Sequence, residues 1–475
     1  MISIDEHEIG NLLVLCDDVF GNENFVECLV YDKKAAPKGV PPVNMIVGVH
    51  EYIVCYSRSE NFKFIGSLRN KDGFSNPDND PRGEWRNTNL KSTVKDKSES
   101  FEIVDPDTGR KFCDTWAFSK TEIVKMIEEK RVLFPKSNDG QVRQKEYYSE
   151  FGSPYIPIKS NLGLFDAQKN TEMLSSLMGD KIFQNPKHFD LMQLIMSITV
   201  DPNSIVLDFF AGSGTTGHAV IAQNAANNGN RRYILVQLPE PLDPSDKDQK
   251  TAADFCDSLK KPRTIAELTK ERLRRAGKKI REEWEAKQTP SENPKSKKSA
   301  VKGPSLFSDP DLAVAAQTPV QTTPPDLGFR VFKLDSTNIM EWDPKHADLK
   351  EAMQMSIEHL KDDRSNDDIL YELLLKLGID LCTPIETTTI AKHQVHAIGA
   401  GTLLACLSST ITQNDLEPLA LGIVSWWKQL VPTDEDKKNR KTSVIFRDSA
   451  FKDDIIKTNL SAILHQHGLS TVRSL

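Results

Sequence analysis

The chain has no apolar run approaching the ~20 residues that a membrane-spanning helix requires. Its opening residues, MISIDEHEIG, carry neither the basic flank nor the apolar core of a signal peptide. Cysteine is sparse: 7 residues, odd in number and scattered, with no C-x-x-C pair. That excludes a disulfide framework, argues against a zinc site and fits a reducing, cytoplasmic compartment. An excess of basic charge is missing too. With 61 Lys and Arg against 68 Asp and Glu, the net charge is −7. Overall charge speaks to solubility, however, and a local basic surface can coexist with acidic lobes. Acidic residues gather late (Asp362, Asp363, Asp367, Asp368, Asp434, Glu435, Asp436), and basic ones at Lys91–Lys97 and Lys260–Arg281. At 475 residues the chain is too long for one ordinary core, so two or three domains are expected.

What is present is organised around Ile205–Gly217, IVLDFFAGSGTTG. Ile205, Val206 and Leu207 form a short apolar run suited to a buried parallel strand, and Asp208 ends it. Gly212, Gly214 and Gly217 then make G-x-G-x-x-G and open into the helix-like segment His218–Ala226. Glycines let a backbone approach a ligand closely, so strand, turn and helix start describe a nucleotide-type cofactor site. A Walker loop would need Lys after the last Gly, where His218 stands. The glycines alone also fit a dinucleotide site or a ligand-free turn. The carboxylate of Asp208 suits an ammonium group and Phe210 suits packing against a sulfonium-bearing amino acid, which favours S-adenosylmethionine.

The phrase DFFAGSGTT resembles motif I of amino-methyltransferases acting on DNA bases. The surrounding chain resembles the Mod (modification) subunit of type III restriction–modification systems. This resemblance implies an α/β fold: a Rossmann-like methyltransferase sheet, an inserted target-recognition segment and a C-terminal α+β lobe. It implies S-adenosylmethionine as cofactor, adenine in double-stranded DNA as substrate, a second copy of the chain and a restriction (Res) helicase–nuclease subunit as partners. Asp208, Phe210, Gly212, Gly214 and Thr215 are the implied cofactor residues. The expected organisation is 1–57, the C-terminal half of the methyltransferase sheet; 58–160, target recognition; 161–286, the cofactor-binding part; 287–325, a flexible insert; and 326–475, a last sheet strand with the dimerisation and partner-binding lobe.

Along the chain, Ile2–Ile4 reads as a strand and Glu8–Phe20 as an amphipathic helix. Phe25–Tyr31 and Glu51–Tyr56 are β-rich runs that can pair antiparallel across the loop Lys33–Pro42. From about Arg58 to Pro157, polar turns alternate with short strand candidates and isolated aromatics. Basic residues with aromatics suit phosphate and base contacts, although the same aromatics suit the core of a small insert. The family keeps its recognition segment at this place in the order. Arg82, Arg86, Lys91, Lys111, Arg143 and Lys145 are the candidate DNA contacts. Phe183–Thr199 reads as a helix packing Phe189, Leu191, Met192, Leu194, Ile195 and Ile198 inward, with Pro186 near its start. It resembles the family motif that closes over the cofactor's methionine end, which makes Pro186 and Lys187 site candidates. Arg231–Leu238 is the second strand of a βαβ unit. Its tip carries Gln237 where a carboxylate usually holds a ribose diol, so Gln237 is assigned a supporting role.

Thr264–Lys287 is a patterned helix whose Arg272, Arg274, Arg275, Lys278 and Lys279 read as a solvated basic face, with phosphate contact as the alternative. Lys287–Pro325 has the composition of a loosely held insert. Gly328–Leu334 reads as a strand, Asp367–Leu377 as a helix stopped by Gly378, and Val395–Ile398, Leu403–Leu407 and Ser443–Arg447 as strands. Arg447–Asn459 resembles the region through which Mod subunits dimerise and hold their restriction partner. His393 and His396 read as structural, and no metal constellation is expected.

Methylating an exocyclic amine requires a group that accepts its hydrogen bonds and supports its developing charge. The family uses a D/N/S-P-P-Y/F/W loop for this. No such tetrapeptide occurs in the 475 residues: Pro41-Pro42 lies between Val40 and Val43, and Ser153-Pro154-Tyr155 lacks the second proline. The expectation is a Mod subunit without its N-terminal portion, including a central strand between Ile205–Leu207 and Ile2–Ile4, with no catalytic residue of its own. Two alternatives are a non-catalytic DNA-recognition and assembly subunit, and a nicotinamide oxidoreductase.

Overall fold

The protein is seen in a computed structural model that describes residues 1–36, 45–92, 100–137, 140–288, 324–340, 360–431 and 441–475. Most of the expected insert 287–325, Pro41-Pro42 and much of Lys91–Lys97 lie outside these. The chain divides into two compact units, Met1–Gly328 and Phe329–Leu475.

The first unit begins with β1 (Ile2–Ile4), α1 (Ile9–Phe20), β2 (Phe25–Asp32) and β3 (His50–Tyr56). β2 and β3 pair antiparallel, as their alternation predicts, and β1 joins β3. Seven short strands follow: β4 (Ser67–Leu68), β5 (Trp85–Asn89), β6 (Phe101–Val104), β7 (Lys111–Asp114), β8 (Val132–Leu133), β9 (Arg143–Tyr147) and β10 (Tyr155–Ile156), with α2 (Lys120–Glu128) between β7 and β8. This segment has its own core of Leu90, Ile103, Trp116, Ile123, Met126, Val132 and Val142, against which Phe112, Phe118 and Phe134 pack. Those aromatics therefore build the segment itself.

The chain returns through β11 (Asn161–Leu164), which adds parallel to β2, then α3 (Ala167–Met178) and α4 (Phe189–Thr199). α4 lays Leu191, Leu194 and Ile195 on Leu29, Tyr31, Ile53 and Cys55 of the four-stranded sheet β1-β3-β2-β11. Next come β12 (Ile205–Asp208), α5 (Thr215–Asn227) and β13 (Arg232–Leu235), a βαβ unit with parallel strands paired from Ile205↔Arg232 to Asp208↔Leu235. α6 (Lys250–Ser258) and α7 (Ile265–Gln288) complete the unit.

Among the described residues, β12 bonds to β13 and β1 to β3, and the strands on either side of the expected gap, Ile205–Leu207 and Ile2–Ile4, lie in separate sheets. One face of the β12–β13 pair accordingly leaves Ile205, Leu207, Ile234 and Val236 exposed, and this apolar surface runs into Phe209 and Phe210. Gly328–Leu334, despite its strand-like composition, is not a strand. Arg330 instead ties it to the carbonyls of Leu381 and Thr383 and to the Tyr371 hydroxyl. Propensity without a ladder does not make a strand.

The second unit contains α8 (Asn366–Lys376), β14 (Ile385–Ile390), β15 (His393–Ile398), β16 (Leu403–Cys406), α9 (Gln413–Leu430), β17 (Ser443–Phe446), α10 (Asp454–Gln466) and β18 (Thr471–Ser474). Its five strands lie in sequence order, antiparallel from β14 to β16 and parallel from β16 to β18. The period-two alternation sends Leu404 and Cys406 toward α9 and α10, and Leu403 and Ala405 toward α8. Gly378 takes a left-handed φ of 68° just after α8, the stop read from the sequence. His396 bonds Thr387 at 2.9 Å, a structural role. Among the described residues no helix is long and apolar enough to cross a membrane, and no His/Cys/Asp/Glu group could hold a metal.

Candidate cofactor site and recognition segment

The turn between β12 and α5 is fixed by hydrogen bonds from four directions. Asp208 accepts from its own turn: Oδ1 from the Phe210 N–H at 3.1 Å and Oδ2 from the Thr216 hydroxyl at 2.5 Å. Each carboxylate oxygen keeps further acceptor capacity. Gln237 closes the turn from the β13 side, where its Oε1 accepts from the Gly212 N–H at 2.7 Å and its Nε2 donates to the Leu238 carbonyl. It braces the glycine rather than holding both amide ends free for a diol. Gly212 (φ 50°) and Gly214 (φ 77°) are left-handed, which is why glycine stands at both. Gly217 is required by packing, since a Cβ there would lie 2.9 Å from both Leu235 and Leu273.

Phe210 projects from the turn with 80% of its surface exposed, beside the exposed Phe209 at a ring separation of 5.1 Å. A phenylalanine so bare at the mouth of a glycine turn is unusual for a large apolar side chain. Thr215 turns the other way. It is buried, its hydroxyl lying 2.7 Å from Arg272 Nη1 and donating to the Lys187 carbonyl at 3.3 Å, so it holds the turn from behind rather than facing a ligand.

Pro186 and Lys187 lie just before the α4 cap and act here through their backbones. Buried Asn170 of α3 donates to both carbonyls, at 2.7 and 3.1 Å, and accepts from the Phe189 N–H. The Lys187 ammonium reaches Glu51 of β3 at 2.8 Å, where Tyr31 (2.5 Å) and Lys33 (3.2 Å) also converge. Burial opposes the Glu51 charge, but Lys187, Tyr31 and Lys33 together hold its carboxyl below the ordinary value. His188 caps α4 by accepting from the Asp190 N–H through Nδ1, and burial lowers its pKa to about 4. Phe189 packs on the ring of His218 at 4.4 Å. His218 is fully buried with neither ring nitrogen hydrogen-bonded, and burial, with Arg272 and Lys279 nearby, puts its pKa well below the usual value.

The basic face read along α7 is corrected at one position. Arg272 is 1% exposed and reaches under the glycine turn, where burial lowers its pKa to about 9. Arg274 and Arg275 pair with Glu271 of the same helix. Asn170, Glu51, Thr269 and Arg272 are site-supporting residues the sequence reading missed. The stripe Leu268, Thr269, Arg272, Leu273, Ala276, Ile280 has the spacing of a buried helix face and was the available signal.

Within residues 58–160 the six candidate DNA contacts separate. Lys145 is 5% exposed and bonds Asp78 and Asp80, with Asp80 also accepting from Tyr147 (2.7 Å) and Arg82 (2.8 and 2.9 Å). Lys145 is thereby corrected to a structural partner of carboxylates, since a buried ammonium cannot meet a phosphate, while Arg82 pairs with Asp80 but stays partly exposed. Arg86 pairs with Glu146 and stacks 5.0 Å from Phe74, Lys91 pairs with Asp114, and Lys111 with Glu102. Arg143 begins β9 and is exposed.

A model of the N6_N4_Mtase family, described as DNA methylase, matches residues 1–240, just over half of the chain. The chain belongs to this DNA methylase family. The match contains β1–β3, residues 58–160 and the βαβ unit with its glycine turn, so the glycine turn described above lies inside it. The chain is 29% identical over 293 residues to the type III restriction–modification enzyme StyLTI Mod subunit of Salmonella typhimurium, covering 59% of this chain and 42% of that protein. It is 28% identical over 261 residues to the type II methyltransferase M.KpnI of Klebsiella pneumoniae (51% and 62%) and 29% identical over 328 residues to the EcoP15I Mod subunit of Escherichia coli (59% and 48%). The chain thus spans about half the length of these relatives, and its likeness to Mod subunits is bounded accordingly.

Proposed function

We propose that this DNA methylase binds S-adenosylmethionine at the β12–α5 turn and serves methylation of an adenine exocyclic amine in double-stranded DNA, as part of a type III restriction–modification system. The turn itself carries this reading: a carboxylate at the tip of a parallel strand, two left-handed glycines, a helix N-terminus and a bare aromatic ring converge there. These groups fit the cofactor chemically. Asp208 would hold its ammonium, the α5 N-terminus would face its carboxylate, and Phe210 would lie against its sulfonium end. When bound, S-adenosylmethionine supplies an electrophilic methyl group, and the transfer leaves a thioether and releases a proton from the amine. The chain's own residues bind and orient: Gln237, Pro186, Lys187 and Thr215 support the turn. A base must leave the duplex to reach such a site, and residues 58–160 are the surface proposed to grip the DNA. Within the same reading the Rossmann-like arrangement is the fold type, and a second copy and a Res subunit are the partners.

A tritiated-methyl transfer assay on adenine-containing duplex DNA tests the reading, with label expected on the adenine amino group. The lack of a D/N/S-P-P-Y/F/W tetrapeptide in the sequence favours a second reading, a recognition and assembly subunit that transfers nothing by itself. DNA retention with no label in the same assay is its expected signature.

For DNA, Arg143 is expected to matter more than Lys145. Arg143→Ala should weaken binding across sequences and lower the salt slope of log K by about 1, as for loss of one phosphate contact. Lys145→Ala should instead lower the thermal midpoint and leave the slope of the folded fraction unchanged. Filter binding across a salt series, paired with thermal melts, checks both.

A further inference from the structure

Arg272 occupies a position that packing alone does not explain. Its side chain is among the largest fully buried in the chain. Its Nη1 donates to the Ser213 hydroxyl at 2.9 Å and the Thr215 hydroxyl at 2.7 Å, with the Ser213 carbonyl at 3.4 Å. Its Nε and Nη2 have no hydrogen-bond partner among the described residues. Taking a guanidinium out of water is expensive unless it is paired and fully bonded. An apolar side chain of similar length would fill the same space without that cost. What an apolar side chain cannot do is hold two hydroxyls of the glycine turn at once.

One helical turn earlier, Thr269 completes the hold. Its hydroxyl donates to the Gly212 carbonyl at 2.5 Å, and a Cβ on Gly214 would come within 3.1 Å of its methyl group. Residues 269 and 272 share one face of α7, so a single helix grips Gly212, Ser213 and Thr215 by buried contacts while Phe210 of the same turn stays exposed. On the open side the turn has its own Asp208 and Gln237 bonds. Two left-handed glycines in a row of four residues give this turn more alternative conformations than any other residue type would. A grip from behind removes them before a ligand arrives.

We propose that Arg272 and Thr269 are positioning residues for the cofactor: they hold the Gly212–Thr215 turn in its binding conformation without touching the ligand. This rests on the S-adenosylmethionine reading of the turn. Its structural half, that the two side chains fix the turn, does not.

The test uses the full chain with Arg272→Met, Arg272→Lys and Thr269→Val. Each is followed by thermal midpoint, by calorimetric titration with S-adenosylmethionine and by hydrogen exchange of residues 211–216 without ligand. Arg272→Met should fold, exchange those amides faster, and bind at least about tenfold more weakly, as expected for losing hydrogen bonds from a charged donor. Arg272→Lys should restore most of the affinity, because an ammonium can still donate to both hydroxyls. Thr269→Val keeps shape, should melt close to the parent, and should bind about threefold to tenfold more weakly. A purely packing role predicts the reverse order, with Met at least as good as Lys. Should Arg272→Met and Thr269→Val fold with parental affinity and parental exchange in the turn, the proposal is overturned. If the parent itself takes up no S-adenosylmethionine, the cofactor reading fails and the positioning role for that ligand with it. Faster exchange in the variants would then show separately that the two side chains still fix the turn.

Discussion

Asp208→Ala is expected to weaken S-adenosylmethionine binding by about 100-fold or more while the chain stays folded. Three interactions leave with the carboxylate. The Phe210 N–H and the Thr216 hydroxyl lose their acceptor, at 3.1 and 2.5 Å, so the turn and the first residues of α5 loosen. The ligand's ammonium loses its counter-charge. Hydrogen bonds to charged groups contribute about 1.5–3 kcal/mol each, and a factor of 100 corresponds to about 2.7 kcal/mol, so the loss of one such bond together with part of the turn suffices. Asp208→Asn separates the contributions. Its amide oxygen can still accept from the Phe210 N–H while its Nδ2 takes the other position and donates to the Thr216 hydroxyl, so it should keep most of the turn and lose mainly the charge, weakening binding by about tenfold. Calorimetry on both variants, with circular dichroism to confirm folding, checks the order parent, Asn, Ala. Equal affinities for Asn and Ala would mean that the turn bonds contribute nothing.

The second large effect is on stability, and it comes from buried histidines, with His188 and His218 beside the turn and His396 in the second unit. His188 and His218 both have folded pKa values below the ordinary 6.5 because burial penalises their charged forms. His188 additionally uses its unprotonated Nδ1 to cap α4. The unfolded chain therefore binds protons that the folded chain refuses, and stability rises with pH through this window. It is complete above about pH 6.5 and declines as the pH falls, for His188 down to about pH 4. With its pKa at about 4, His188 alone accounts for about 2 kcal/mol of lost stability at pH 5. His218 adds to the loss in the same direction. Carboxylates held below their usual range act only below about pH 5, so the interval from pH 7 to 5 isolates the histidines. His188→Asn keeps a capping oxygen, and His218→Phe keeps an aromatic ring against Phe189. The double variant should show a thermal midpoint that falls less across that interval than the parent's, the remainder coming from His396, whose pKa burial also lowers. A parent midpoint independent of pH would contradict the assignment.

Much of this was legible in the sequence because it is local. The glycine turn needs only its own neighbours: a short apolar run, a carboxylate, and glycines where φ must be positive. The β2–β3 pair and the buried face of α4 follow from periodicities of two and 3.6. Arg272 was misread because a helix rich in arginine looks like a solvated surface, and its hydroxyl partners, Ser213 and Thr215, lie far off in the chain. The same distance hid Lys145, whose acceptor Asp80 lies 65 residues earlier and reaches it by tertiary packing. Gly328–Leu334 has the composition of a strand, yet a strand is a relation between two segments and this one has no ladder. Whether the strands on either side of the expected missing strand would pair was not legible, because pairing is tertiary: among the described residues β1 belongs with β3 and β12 with β13.

Equilibrium dialysis of the folded chain against radiolabelled S-adenosylmethionine bears most directly on what the β12–α5 turn is for. The geometry predicts saturable uptake of about one ligand per chain, as one such turn would hold, displaced by the demethylated thioether product and unaffected by nicotinamide dinucleotides. A natively folded preparation that retains no label, or one that retains a nicotinamide dinucleotide instead, would contradict it.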